Sequence, residues 1–135
     1  MIRGITASTF DLLHAGHILM LKEAKEQCDY LICALHIDPS IERESKNKPI
    51  QSLYERYIQL RAVSYVDEII PYETEKELET ILQTENINIR IIGEDYKGKY
   101  FTGTYLCELN KMDLYYNKRT HSYSSTELRN RIKQS

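Results

Sequence analysis

Five short apolar runs, separated by polar segments with helical spacing, are the feature that most constrains the fold of this chain. The runs are too short for buried helices and rich in Ile and Leu, so we interpret each as a strand. The strands are predicted at residues 2–8, 30–37, 66–71, 87–93 and 112–116. Short apolar strands that alternate with helices favour a parallel sheet covered on both faces. We therefore predict an α/β fold, a single domain over residues 1–135 whose five-stranded parallel sheet carries helices on both faces.

Three of the helices are marked by their starts. In each, a Ser or Thr is followed three positions later by Glu, which is typical of a capping box. The pairs are Ser52 with Glu55, Thr74 with Glu77, and Ser124 with Glu127. Residues 42–49 and 94–103 lack apolar periodicity and predict loops. The first of these loops is highly charged, so we expect it to be exposed and mobile, with nothing in it that docks on the core without a ligand.

Two histidines lie at the junction between the first strand and the first helix, in the stretch "TFDLLHAGH" (residues 9–17). One histidine beside an apolar run is more often a hydrogen-bonded core residue than a ligand. Two at one helix entry, on either side of Ala15 and Gly16, are hard to explain by packing, because each needs polar partners. A helix start attracts anions through its unpaired N–H groups, and Gly16 lets a ligand approach the backbone. His14 and His17 therefore predict a phosphate site.

A zinc site is the alternative interpretation of these imidazoles. It needs more ligands than one pair supplies, and His36, His121 and the three cysteines are scattered along the chain without paired spacing. We therefore predict no metal ligands in the protein itself.

Polar clusters follow four of the predicted strands. They are residues 9–17, the lysine pair Lys46 and Lys48, Glu94 with Asp95, and residues 118–126. Carboxyl ends of parallel strands meet at one edge of a sheet, so these clusters should lie together there. Lys46 and Lys48 lie either on a loop that is simply solvated or on a flexible loop that closes over a polyphosphate. The stretch "RTHSYSST" (residues 119–126) supplies a helix cap and, compatibly, hydroxyls and N–H groups for a phosphate.

Charge and composition limit the partners. The net charge of −2 gives no basic field for nucleic acid, and no segment is long and apolar enough to span a membrane. The three cysteines are an odd number in apolar surroundings, which suits buried thiols in a reducing compartment. We expect a cytoplasmic protein that binds a small anion and neither nucleic acid nor membrane.

With "TFDLLHAGH" near one end and "RTHSYSST" near the other, the chain resembles the small nucleotidyltransferases with a His-x-Gly-His motif, the cytidylyltransferases. The resemblance runs through "YVDEIIP" (residues 65–71) to the last helix. It implies a Rossmann-like domain, usually a homodimer, that transfers CMP from CTP to a small phosphorylated alcohol and releases pyrophosphate. Glycerol 3-phosphate, which would give CDP-glycerol, is the nearest guess for this acceptor. Mg²⁺ is implied as a cofactor carried by the triphosphate.

The resemblance also assigns roles to residues. The catalytic residues would be His14, His17, Lys46 and Arg119. The nucleotide would contact Thr9, Phe10, His14, Ala15, Gly16, His17, Lys48, Asp95, Arg119, Thr120, Tyr123, Ser124, Ser125 and Thr126. The acceptor would contact Asp11, Lys46 and Arg56. An oxygen of the acceptor phosphate would attack the α-phosphorus in line, so catalysis is positioning plus charge stabilisation and needs no general base.

Departures from the family pattern concern the substrates more than the phosphate machinery. They are Ser8, Ser64, Tyr96 and residues 121–123, which differ from the residues usual in the cytidylyltransferases. One alternative is an adenylyltransferase of the same family that acts on a pantetheine or sugar phosphate. Another, of a different class, is a nucleotide-binding protein without turnover, although the intact motifs argue against it.

Overall fold

The computed structural model describes residues 1–118 and 121–135 of the chain. Its sheet has five parallel strands in the order β3-β2-β1-β4-β5, which confirms the predicted fold class. The strands are β1 (Arg3–Ser8), β2 (Tyr30–His36), β3 (Glu68–Tyr72), β4 (Ile89–Gly93) and β5 (Asp113–Asn117). Their ends lie within two residues of the predicted ones. No described helix is long and apolar enough to cross a membrane.

In the described residues, five α-helices accompany the sheet. They are α1 (Ala15–Glu26), α2 (Leu53–Arg61), α3 (Glu75–Thr84), α4 (Thr104–Leu109) and α5 (Ser125–Gln134). The sequence did not predict α4, because six residues are too few for a periodic pattern. No side chain caps α4, which begins after Gly103 in the left-handed conformation (φ 79°). The expected loop after β4 also contains a single 3-10 turn, Glu94–Tyr96.

Side chains of strand β2, which lies between β3 and β1, alternate between two cores, one on each face of the sheet. Leu31, Cys33 and Leu35 pack with the buried faces of α1 and α2, where Leu21 and Leu60 are inaccessible to solvent. On the other face, β2 contributes to a core with α3 and α4 that contains Ile32, Ala34, Leu78, Leu82 and Leu106. Helices therefore cover both faces, as predicted.

All three predicted caps are present, but among the described residues only the α2 cap of these three forms a complete reciprocal capping box. Ser52 and Glu55 form a reciprocal capping box at α2. Ser124 Oγ accepts from the backbone N–H of Glu127 at α5. At α3, Thr74 Oγ1 accepts from the N–H of Glu77, but the Glu77 carboxylate bonds the N–H of Glu73 instead of that of Thr74.

Strand order positions the site. β1 lies between β2 and β4, and the loops that leave β1 and β4 run to opposite sides of the sheet. A crevice opens at such a switch point, outside the carboxyl ends of the strands. The polar clusters singled out in the sequence follow β1, β2, β4 and β5 and therefore border this crevice.

Candidate active site

The two motif histidines form the N-terminal cap of α1. His14 is the N-cap residue in an extended conformation, and its Nδ1 accepts from the N–H of Gly16 at 3.0 Å. His17 Nδ1 accepts from the N–H of His14 at 3.1 Å. The ring centroids are 4.1 Å apart. The pair thus satisfies backbone donors that would otherwise be unpaired at the helix start.

This cap fixes which ring nitrogen carries the proton. Because Nδ1 accepts a hydrogen bond in both rings, each neutral ring must be protonated on Nε2. His14 Nε2 lies 3.2 Å from Ser125 Oγ at the start of α5. Burial, reinforced by the neighbouring His14, lowers the pKa of His17 to about 4, so its ring is neutral at pH 7. His17 therefore presents a neutral N–H donor rather than a positive charge.

Gly16 allows α1 to approach the segment before α5. A Cβ atom at this position would lie 2.8 Å from the carbonyl oxygen of Tyr123 and 2.8 Å from Cε1 of His14. Both distances are shorter than real Cβ contacts. A side chain here would therefore force the two helix starts apart.

The starts of α1 and α5 converge on one cleft of about 620 Å³, which we call the histidine cleft. Two helix N-termini direct the positive ends of their dipoles into it, which suits an anion. Of the predicted nucleotide contacts, the cleft is lined by His14, Gly16, His17, Asp95, Tyr123, Ser124, Ser125 and Thr126.

The remaining predicted nucleotide contacts fall elsewhere. Ala15 is exposed and is not part of the cleft lining. The ring of Phe10 is 1% exposed in the α1 and α2 core, although the residue borders the site beside Thr9 and Asp11, so its backbone is the part that can reach a ligand and its nucleotide contact stays a prediction. Arg119 and Thr120 lie outside the described residues.

A second cavity of about 380 Å³, the inner cavity, lies against the carboxyl ends of β1, β2 and β4. It shares Met20, Gly93 and Asn117 with the histidine cleft. A smaller depression of about 210 Å³ joins Lys46 and Lys48 to His17 and Ser125, and also contains Thr9 and Asp11. The cavities are thus continuous along the sheet edge, as expected for a site with two substrates.

Asp11, a predicted acceptor ligand, binds protein groups in this structure. Its carboxylate accepts from the N–H groups of Ile50 and Gln51 at 2.8 and 2.9 Å. It also pairs with Arg129 of α5 at 3.5 Å. Asp11 thereby holds the end of the charged loop at residues 42–49, which we call the lysine loop, against α5. Its contact with the acceptor stays a prediction.

Arg56, which was also predicted to contact the acceptor, is 2% exposed. Its guanidinium donates to the carbonyl oxygens of Thr9, His36, Ile37 and Gln51. Four of its five N–H groups are therefore used to hold the loops after β1 and β2. This geometry favours a positioning role over the acceptor contact that the resemblance implied.

The lysine loop is exposed over residues 41–48, as predicted, and Lys46 lines both the inner cavity and the depression. The expectation that nothing in the loop docks without a ligand is wrong. Arg43 pairs with Glu75 at 3.3 Å, and the carboxylate of Glu42 accepts from the N–H of Glu75 at 2.8 Å. Polar contacts at the start of α3 replace the apolar ones that the sequence lacks.

Sequence reasoning missed several residues of the site. In the histidine cleft, Glu23 accepts from the hydroxyl of Tyr115 and the N–H of Lys118, which holds the end of β5 against α1. In the inner cavity it missed His36 and Arg90. A signal for these two was present, because each is a polar side chain within an otherwise apolar strand.

Comparison with known proteins agrees with this geometry. Residues 5–131 match the sequence model of the family described as cytidylyltransferase-like. The chain is similar to the glycerol-3-phosphate cytidylyltransferase of Bacillus subtilis, at 33% identity over 132 residues that cover 98% of each chain. It is also similar to the FAD synthase of Thermococcus sibiricus, at 38% identity over 94 residues, which cover 70% of this chain and 64% of that one.

Among solved structures, the chain is similar to a lipopolysaccharide core biosynthesis protein from Thermoplasma volcanium. The TM-score is 0.71 at 25% sequence identity, and the match covers 90% of this chain and 99% of the other.

Proposed function

The chain belongs to the cytidylyltransferase-like family, and from that premise we propose that it transfers CMP from CTP to a small phosphorylated alcohol. Glycerol 3-phosphate is the first acceptor to test, with CDP-glycerol and pyrophosphate as products. The observation that carries the proposal is the convergence of two helix starts and two Nε2–H donors on one cleft that continues into a second cavity.

The reaction is an in-line displacement at the α-phosphorus. An oxygen of the acceptor phosphate forms the new P–O bond, and the bond to the bridging oxygen of pyrophosphate breaks. The attacking phosphate is already ionised, so no general base is required. Catalysis then depends on donors that meet the charge on the α-phosphate and the leaving group.

His14 and His17 are the donors best placed for this work. Their Nδ1 atoms are held by the helix cap, so Nε2–H is oriented before substrate arrives. A preorganised neutral donor in a partly buried cleft stabilises developing negative charge without reorganising. The N–H groups at the starts of α1 and α5 act in the same direction.

Lys46 and Lys48 supply positive charge from the other side. Lys46 lines both the inner cavity and the depression that reaches His17, so its ammonium can neutralise charge between the two phosphates. Mg²⁺ would be carried by the triphosphate, and it would supply further charge neutralisation there. Among the described residues, no three or more metal-ligating side chains form a group. Of the residues predicted to contact the nucleotide, Asp95 is the carboxylate that lines the histidine cleft, and it would hold waters of such an ion.

An adenylyltransferase is the second candidate, because the similarity to an FAD synthase covers 70% of the chain. Both enzymes would use the same phosphate site and differ in the base pocket. Pyrophosphate release, measured with CTP and with ATP over a panel of phosphorylated alcohols and sugars, tests the proposal. Turnover with CTP supports it, and turnover with ATP alone would replace it by the adenylyltransferase.

We also propose that the chain forms a homodimer. Ile50, Tyr54 and Ile58 are large apolar side chains exposed on and beside α2, and they provide a surface for a second copy. Light scattering over a wide range of concentrations should give the mass of two chains. A monomer mass throughout that range would contradict the proposal.

A further inference from the structure

The inner cavity contains a buried polar atom without a hydrogen-bond partner. His36 is 6% exposed, and its Nε2 has no partner among the described residues. Buried polar atoms in proteins are nearly always hydrogen-bonded, and an exception requires an explanation. His36 lines the inner cavity, so a bound molecule can supply the missing partner.

The surroundings of His36 fix what this partner must be. The ring stacks on Tyr72 with centroids 4.5 Å apart and an interplanar angle of 20°. Burial lowers the pKa of His36, against a smaller opposing effect of the Glu73 backbone, so the ring is neutral at pH 7. A neutral ring holds one proton, and with that proton on Nδ1 the Nε2 atom offers a lone pair, for which the partner must be a donor.

Arg90 supplies the opposite property in the same cavity. It is 5% exposed on β4, and its guanidinium donates through Nη1 to the carbonyl of Thr102 and lies 5.0 Å from the centre of the Phe101 ring. No carboxylate among the described residues lies within ion-pair distance of it. Buried charges are normally paired or fully hydrogen-bonded, so its other N–H groups call for an acceptor.

A third group argues against an anion as that acceptor. Glu75 also lines the inner cavity, where its carboxylate accepts from the hydroxyl of Thr102 and pairs with Arg43. An anionic group would face both this carboxylate and the lone pair of His36. A hydroxyl group satisfies all three residues, because it donates one hydrogen bond and accepts others.

We propose that His36 and Arg90 form a hydroxyl-reading pair that selects acceptors with a polyhydroxylated body. This inference rests on the proposed function. The phosphate of the acceptor would lie near Lys46 and Thr9, where the inner cavity meets the depression, and a hydroxyl of its carbon chain would donate to His36 and accept from Arg90. The pair is thus a specificity determinant, separate from the donors that act on the α-phosphate.

The experiment compares phosphorylated acceptors that differ in their hydroxyl groups, with one that carries a carboxylate. Glycerol 3-phosphate and the phosphates of four- and five-carbon polyols are tested beside propyl phosphate, which has no hydroxyl, and 3-phosphoglycerate, which has a carboxylate. His36→Phe keeps the stack on Tyr72 and removes the lone pair, whereas His36→Gln keeps an acceptor atom. The readouts are the acceptor KM, kcat, the KM for CTP and calorimetric binding of each acceptor.

We expect His36→Phe to raise the KM of hydroxylated acceptors about tenfold, the scale of one lost hydrogen bond. The KM values for propyl phosphate and for CTP should not change, and His36→Gln should restore part of the loss. An equal effect on glycerol 3-phosphate and propyl phosphate would overturn the hydroxyl-reading pair, as would a preference of the parent for 3-phosphoglycerate.

Failure of the proposed function gives a different result. If the parent releases no pyrophosphate with any acceptor, the proposed transfer reaction is wrong. Calorimetric binding of the acceptors to the parent then tests the hydroxyl-reading pair by itself. Tighter binding of the polyol phosphates than of propyl phosphate supports the pair without turnover. Equal binding of the polyol phosphates and of propyl phosphate refutes the pair. This comparison uses the parent protein, so it is valid even if His36→Phe does not fold.

Discussion

The histidine cleft and the inner cavity border the same sheet edge but are built differently. Backbone N–H groups and two imidazoles that cap a helix line the histidine cleft, and the bonds that hold the two imidazoles to the helix start are local in sequence. Side chains from separate strands, such as His36 and Arg90, line the inner cavity. The Nε2 atom of His36 has no hydrogen-bond partner among the described residues. The cleft therefore needs no particular substrate to be well formed, whereas the cavity leaves hydrogen bonds for a substrate to make.

This difference teaches which part of the reaction each region controls. Groups held by backbone geometry suit the phosphate chemistry, which is the same for every substrate of such an enzyme. Groups left with unused donors and acceptors suit the choice of acceptor, since an analogue without the matching hydroxyl leaves them unpaired. The following predictions test this division.

The largest effect is expected for the histidine pair. His14→Ala and His17→Ala should each lower kcat about a hundredfold or more, as for loss of one preorganised donor. His14→Asn is the matched control, because Asn is a good N-cap but has no group equivalent to Nε2–H. It should recover the unfolding midpoint of the parent without recovering kcat. If His14→Asn is as active as the parent, the imidazole is only a cap, and the division between the two regions fails.

The pH dependence of stability should report the neutral cap. Because the pKa of His17 falls from 6.5 to about 4 on folding, the unfolded chain binds a proton between these values that the folded chain does not. Stability present above pH 6.5 is therefore lost as pH falls towards 4, by about 2 kcal/mol at pH 4.5. Urea unfolding at pH 7 and pH 4.5 measures the loss, and His17→Gln should lose less by about that amount. Parallel losses in both proteins would show that His17 is not the group responsible.

The lysine loop connects the two regions, so its effect should appear in both substrates. We expect the double change of Lys46 and Lys48 to Ala to raise the KM of CTP, of the acceptor or of both about tenfold, the scale of a charge-assisted hydrogen bond. Lys46→Ala alone should account for most of this rise in KM, because Lys46 lines both the inner cavity and the depression. Lys76→Ala, on the exposed surface of α3, is the control. A double variant with the kinetics of the parent would make the loop a solvated surface.

The smallest effect is expected for Asp95, whose exposed carboxylate lines the histidine cleft. Exposed polar contacts contribute about 1 kcal/mol or less, so Asp95→Asn should raise the KM of CTP by about fivefold at most. Glu108→Gln, an exposed carboxylate on α4 outside the cleft lining, is the comparison. Steady-state kinetics with CTP distinguish them, and a hundredfold loss of kcat in Asp95→Asn would place this side chain among the groups that act on the α-phosphate.

The parts that could be predicted from the sequence are those with local causes. The histidine pair, the cap of Ser52 and the parallel sheet of an alternating chain follow from local spacing. The roles of Asp11 and Arg56 do not, because their partners lie about 40 positions away or on several loops. Helix α4 was missed because its start depends on the conformation of Gly103 and no side chain caps it.

Asp11 determines how far the lysine loop can travel. With Ile50 and Gln51 clasped by this carboxylate, and with Glu42 bonded to the N–H of Glu75 near the other end, the loop is tethered on both sides. An ammonium on a short tethered segment samples a small volume, which corresponds to an effective concentration of about millimolar at the site it reaches. A lysine contact too weak to matter between free molecules can therefore be occupied for much of each catalytic cycle.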